Sequence, residues 1–264
     1  MATIGNYKII KKIGEGGFGR VFQAKHMLLG EDACVKQNIN ASADDVELLK
    51  NEAKLIWKLY EHHSIPAIKD FIEMDRDNAV IITSYIDGKT LEDAVTEKGP
   101  LHPEDAAWIT ERLLGALYYV HCNAVVHGDV KPQNVFIESS KHDIKLIDFG
   151  LGIYKPTGGT RPVGYSPRYA APEIMAGNPP IPESDLYGVG IVMLRALGGD
   201  LDKKSFRSDT PKELSDFCSS LLLYDPKERP EWDSGLVEKL SDIREKVFGR
   251  RHVGIIKKMK GGVK

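Results

Sequence analysis

The 264-residue chain contains only three cysteines, Cys34, Cys122 and Cys218. They are odd in number and too widely spaced for a disulfide framework or a C-x-x-C metal site, so all three are expected as reduced thiols. Long apolar runs are missing as well. The most apolar stretch, Val189–Leu197, is far shorter than a bilayer span and carries Arg195. Met1–Tyr7 lacks the basic-then-apolar order of a secretory signal, and no glycine follows Met1 to accept a myristoyl chain. Nor does one sign of charge dominate. The 36 Lys+Arg and 38 Asp+Glu leave a formal net charge of −2, which gives no overall pull toward nucleic acid or anionic membrane. No internal repeat or long low-complexity tract is evident. The expectation is a cytoplasmic globular protein with no nucleic-acid partner and no membrane span.

What is present divides the chain in two. The composition, 42% apolar and 28% charged, is ordinary for a soluble domain. Residues 1–86 are strand-rich: short alternating or apolar runs at Tyr7–Ile13, Arg20–Ala24, Asp32–Gln37, Ile68–Glu73 and Ala79–Tyr85 are bounded by glycine or polar residues. Among them lies one helix, Asp44–Tyr60, with Val46, Leu49, Ala53, Ile56 and Leu59 at helical spacing. From residue 87 to 249 helical periodicity prevails, over Pro103–Asn123, Glu183–Leu197, Pro211–Leu223 and Asp233–Val247. Two short strands, Val135–Ile137 and Ile144–Ile147, interrupt it. Strands followed by helices imply an α+β fold of two lobes, hinged near Ser84–Gly88. Residues 250–264 form a basic tail without an acid; it reads as a solvated segment or as a dock for a partner or anionic surface.

Three motifs carry chemistry. Gly14-Glu-Gly16-Gly-Phe18-Gly19-Arg-Val21 lets a backbone close over phosphates without Cβ clashes. The segment after it is a strand rather than a helix, which argues against a dinucleotide fold. Ala33-Cys-Val-Lys36 ends an apolar strand on a cation that could meet nucleotide phosphates, with Glu52 as its natural carboxylate partner and Glu47 the competitor. His127-Gly-Asp129-Val-Lys131-Pro-Gln-Asn134 precedes Asp148-Phe-Gly150. That order supplies a proton acceptor, a cation two residues on, and two oxygen ligands for Mg²⁺.

In these motifs the chain resembles the eukaryotic-type serine/threonine protein kinase catalytic domain, from about Tyr7 to Leu240. The resemblance implies a two-lobed fold with a small antiparallel-sheet lobe carrying one long helix and a larger helical lobe. It implies ATP and Mg²⁺ as cofactors and protein serine or threonine hydroxyls as substrates. Ile13, Gly14, Gly16, Gly19, Val21, Ala33, Lys36, Ile86 and Phe136 would bind the nucleotide, with Ala33 above the adenine and Phe136 below. Lys36 and Glu52 would form the ion pair, and Asp129 and Lys131 would be the base and phosphoryl-side cation. Asn134 and Asp148 would hold the metal. Ala171-Pro-Glu173, Asp185 and Arg229 match structural positions of the large lobe. Thr83 falls at the back of the adenine pocket, although a plain strand residue explains it equally well.

Lys131 and Ser166, the latter in the slot usually held by a threonine that contacts the base, favour serine/threonine over tyrosine. One departure bears on regulation. The family commonly has arginine directly before the catalytic aspartate, where it pairs with a phosphate on the activation loop; here that residue is Gly128. Little dependence on phosphorylation of Thr157 or Thr160 is therefore expected, with Arg161 or Arg168 as substitute contacts. A second departure is a short stretch between Asp185 and Arg229, which abbreviates the helix expected around Gly198–Ser208. The alternatives are a small-molecule phosphotransferase of aminoglycoside or choline kinase type, which shares His-Gly-Asp, and a non-catalytic scaffold.

Overall fold

Isoleucines set among lysines open the first lobe, and the period of two of a β-strand turns successive side chains to opposite faces of a sheet. The computed structural model describes residues 2–16, 19–138, 141–233 and 235–250. Its strands are β1 (Thr3–Ile4), β2 (Tyr7–Gly16), β3 (Gly19–His26), β4 (Asp32–Gln37), β5 (Ile68–Glu73) and β6 (Ala79–Ser84). They pair antiparallel in the order β1-β2-β3-β4-β6-β5. Between β4 and β5 runs α1 (Ala43–Leu59), capped by Ser42, whose hydroxyl accepts the Asp45 N–H at 3.2 Å. α1 sets Val46, Leu49 and Ala53 against Ala79 and Ile81 on one face of the sheet. Tyr7, Ala24, Ala33, Val35, Val80 and Ile82 form a second cluster on the other face.

The larger lobe begins with β7 (Lys89–Thr90), α2 (Leu91–Lys98) and α3 (Pro103–Cys122). β8 (Val125–Val126), β9 (Val135–Glu138), β10 (Asp143–Leu146) and β11 (Ile153–Tyr154) surround the chemical motifs. α4 (Pro172–Met175), α5 (Pro182–Ala196), α6 (Lys212–Leu221) and α7 (Gly235–Phe248) complete the fold. α5 is buried nearly all round, from Ser184 to Leu194, as a helix apolar on every side must be. Its Val189, Ile191 and Val192 join Leu113, Leu114 and Leu117 of α3 in one continuous core. No helix lies between α5 and α6 among the described residues; a bridge between Asp200 and Ser205 fills that stretch, in line with the expected abbreviation. The expected long elements are present with ends shifted by up to three residues. β1, β7, β8, β11, α2 and α4 are additions to the expected elements: the four strands have two residues each and the two helices span about two turns or fewer, too short for a helical period to show. No helix among the described residues is long and apolar enough to cross a membrane.

Candidate active site

A carboxylate on α5 holds the loop that follows β8. Asp185 accepts the His127 N–H through Oδ2 (2.8 Å) and the Gly128 N–H through Oδ1 (2.9 Å), and its Oδ2 meets His121 Nε2 at 2.7 Å. Burial opposes its charge, but the bond to His121 and the neighbouring histidines outweigh it and hold the carboxyl below the usual aspartate range. The Asp129 N–H donates to His127 Nδ1 at 3.2 Å, which puts the ring proton on Nε2, facing Ile147 O at 3.1 Å. The same ring packs on Phe149, centroids 4.6 Å apart. The loop is thus fixed from both sides.

Fixing the loop aims Asp129. Its Oδ1 accepts from Ser166 Oγ at 2.7 Å. Its Oδ2 accepts from Lys131 Nζ at 2.5 Å and Asn134 Nδ2 at 3.2 Å. Lys131 Nζ also donates to Ser166 Oγ at 2.9 Å. Asp129, Lys131 and Ser166 therefore close a triangle in which a carboxylate and a cation both meet a hydroxyl. Asn134 spends its amide N–H groups on Asp129, which leaves its side-chain Oδ1 without a hydrogen-bond partner among the described residues.

Across the cleft, Lys36 Nζ donates to both oxygens of Glu52 (3.0 and 2.7 Å) and to Asp148 Oδ1 (2.7 Å). Burial would depress the ammonium, but the two carboxylates overcome it and raise it above the ordinary lysine value. For Asp148 burial is likewise outweighed, by Lys36, and the carboxyl stays low. Asp148 sits at φ +65°, a left-handed conformation uncommon outside glycine. Glu47, the competitor for Lys36, is exposed and pairs with Lys50. Asp148 and the free oxygen of Asn134 are hard oxygen donors of the kind Mg²⁺ prefers, so the donor set fits the ion.

The nucleotide residues inferred from sequence separate into two groups. Val21 is the register partner of both Gly14 and Lys36, so Val21 and Lys36 share a face of the sheet. Gly19 is required by contact: a Cβ there would lie 2.5 Å from Gln37 O. Gly17 and Phe18 lie outside the described residues. Ile13 is exposed near the end of β2, Ile86 follows β6, and Phe136 on β9 pairs with Thr90 and Lys145. Ala33 does not belong with them. It is 3% exposed in the cluster on the far face of the sheet, because strand alternation turns residues 33 and 35 away from 34 and 36. Cys34 stands on the Lys36 face instead. It opposes Thr83 across the β4–β6 ladder and stands two residues from Lys36 on the same face. Burial pushes its thiol up to about 11, so it stays protonated at neutral pH. Counting two residues back from Lys36, by the strand period, would have found it.

Below the cleft, Arg229 clasps Glu173 with two bonds of 2.7 and 2.9 Å, joined by Ser184 Oγ at 2.8 Å. In the segment between Asp148 and Glu173, Arg161 donates to Gly177 O at 2.7 Å and Arg168 lies 3.7 Å from Asp202. Neither is directed at Thr157 or Thr160, which bond to each other through the Thr157 N–H and Thr160 Oγ1 at 2.7 Å. Gly128 has φ +75°, and a Cβ on it would stand 2.8 Å from Leu151 O.

Comparison with known proteins agrees with this geometry. The family pattern described as "Protein kinase domain" matches residues 7–240. Serine/threonine-protein kinase PrkC of Bacillus subtilis is 34% identical over 201 residues, covering 74% of this chain and 31% of that protein. Serine/threonine-protein kinase pkn2 of Myxococcus xanthus is 31% identical over 208 residues (75% and 25%). The SNF1-related protein kinase catalytic subunit alpha KIN12 of Arabidopsis thaliana is 30% identical over 205 residues (76% and 41%). The matched regions take up less than half the length of each of these relatives.

Proposed function

We propose that this chain, which belongs to the protein kinase family, transfers the γ-phosphoryl of Mg-ATP to serine and threonine hydroxyls of proteins. The observation that carries this reading is the Asp129–Lys131–Ser166 triangle facing the Lys36–Glu52–Asp148 cluster. A substrate hydroxyl entering where Ser166 Oγ now meets Asp129 would be oriented and relieved of its proton by Oδ1. Lys131 would balance charge on the transferring group, and Lys36 would steady the α- and β-phosphates. Asn134 and Asp148 would hold Mg²⁺, which when bound neutralises charge on the phosphate oxygens. Gly14, Gly16, Gly19 and Val21 would cover the phosphates, with Ile13, Ile86 and Phe136 beside the adenine. Residues 1–86 would act as the nucleotide lobe and 87–249 as the catalytic and substrate lobe.

The same reading makes the enzyme largely independent of loop phosphorylation. Lys36 already holds Glu52 and Asp148, and Gly128 offers no guanidinium to a phosphate. A small-molecule phosphotransferase is disfavoured by the Lys131–Ser166 contact and the Glu173–Arg229 clasp. Of the basic tail, Arg250 binds Glu104 at 2.6 and 2.7 Å; residues 251–264, on which the expected docking role falls, lie outside the described residues. Phosphosite mass spectrometry after incubation with Mg-ATP and generic protein substrates, beside aminoglycoside and choline assays, tests the proposal. Phosphoserine and phosphothreonine are expected, with a loss of about 10³-fold in Asp129→Ala. Transfer only to the small molecules would reject it.

A further inference from the structure

The segment following Asp148-Phe-Gly150 is gripped from two sides, and one grip comes from α1. Asn51, Leu55 and Lys58 stand at i, i+4 and i+7, one stripe of the helix. All three reach this segment. Asn51 Nδ2 donates to Gly152 O at 3.3 Å. Leu55 packs so closely beneath Gly152 that a Cβ there would lie 2.7 Å from Leu55 Cδ1. Lys58 Nζ sits 4.6 Å from the centroid of the Tyr154 ring. On the other side β11 pairs with β8, Ile153 opposite Val126 and Tyr154 opposite Val125, and the Lys155 N–H donates to Ala124 O at 2.7 Å. Leu151 O rests over Gly128 at a distance only glycine allows. The neighbour of Asn51 on α1 is Glu52, which holds Lys36.

We propose that Asn51 is a positioning residue, reinforced by Lys58, that latches α1 to the segment 151–155. Through this latch the Lys36–Glu52 pair and the order of the segment form together without a loop phosphate. The proposal rests on the kinase reading above and names what replaces the missing guanidinium. Two grips that close on one strand make its order cooperative. If α1 drifts outward, Glu52 leaves Lys36 and Gly152 loses its partner in the same movement. The stripe bears on kcat rather than on nucleotide affinity, because the contacts its three residues make here go to Gly152 and Tyr154 and not to Val21 or Lys36.

The test uses the full chain, phosphatase-treated and verified by mass as unphosphorylated. Asn51→Ala is expected to lower kcat about tenfold, the scale of one lost hydrogen bond (about 1.4 kcal/mol), with the ATP KM within about twofold. Deuterium uptake over residues 151–155 should quicken about tenfold while α3 and α5 keep wild-type protection. Lys58→Met, exposed and tolerant of change, should show the same pattern at about threefold. Wild-type kcat and wild-type exchange in Asn51→Ala would overturn the latch. So would faster exchange spread evenly over α3 and α5, which marks general loss of stability. A wild-type protein without any phosphotransfer would sink the kinase reading instead, and the exchange measurement would still decide for or against the latch.

Discussion

Two ion pairs, one in each lobe, are built to opposite specifications. Arg229 and Glu173 meet through parallel bonds, with side chains 0% and 6% exposed, and the guanidinium also donates to Glu183 O, Leu223 O and Tyr224 O. A rigid fork saturated on every side can hold one arrangement only. Lys36 divides a single ammonium between Glu52 on α1 and Asp148 in the large lobe, at a cleft where it remains 15% exposed. Because its partners ride on different elements, any movement of α1 or of the segment after Asp148 unmakes part of the cluster. The first pair holds shape. The second is complete only while the two lobes and the helix are in register.

Substitutions should separate the two pairs, beginning with the larger effect. Lys36→Met is expected to lower kcat/KM about 10³-fold, roughly 4 kcal/mol, with little change in melting temperature. Burial already raises the Glu52 carboxyl, so without Lys36 it takes up a proton instead of leaving a bare charge. Steady-state kinetics beside calorimetry check this, and a large fall in stability with normal turnover would erase the contrast. Arg229→Ala should do the reverse and cost about 3–4 kcal/mol of stability in urea titration, since it strands a buried carboxylate. The pair also sets a pH dependence. Burial works against the charged form of Glu173, but the Arg229 and Ser184 bonds hold its carboxyl below the ordinary value of 4.5. Its stabilisation is therefore full above that value and lost as pH falls through the lower, folded-state one. Unfolding measured from about pH 6 to about pH 3 should be steeper in wild type than in Arg229→Ala. Gly128→Ala comes next, at about 2 kcal/mol of stability, because it combines a left-handed backbone with a contact on Leu151 O.

How much of this could be read in the sequence depends on how far each feature reaches. The α+β division, α1, α3 and α5 were legible because periodicity persists over many residues. Lys36, Asp129, Lys131, Asn134, Asp148 and Ser166 were legible because their order along the chain mirrors their chemistry. The pairing of β8 with β11 was not, since two-residue strands have no period and their partners lie far apart in sequence. Asn51 was hidden for another reason: a polar residue on the rim of a helix looks solvated until the strand beneath it is known. Ala33 was misplaced although the sequence held the signal. Lys36 must face the cleft, and a period of two then turns residue 34, not 33, toward it.

That correction yields the smallest and most discriminating expectation. If Cys34 lies beside the adenine and Ala33 lies in the outer core, each position should respond in a different assay. Cys34→Val puts branched bulk into the cleft next to Thr83 and is expected to raise the ATP KM about threefold, under 1 kcal/mol, with kcat nearly unchanged. Ala33→Gly removes a methyl group from the cluster of Tyr7, Ala24, Val35, Val80 and Ile82 and loosens a strand. It is expected to cost about 1 kcal/mol of stability with the ATP KM untouched. The reverse result, nucleotide affinity answering to residue 33 and stability to residue 34, would mean that the face of β4 has been assigned the wrong way round. Lys36 would then have to reach its carboxylates from the opposite side of the sheet, which its bonds to Glu52 and Asp148 do not permit.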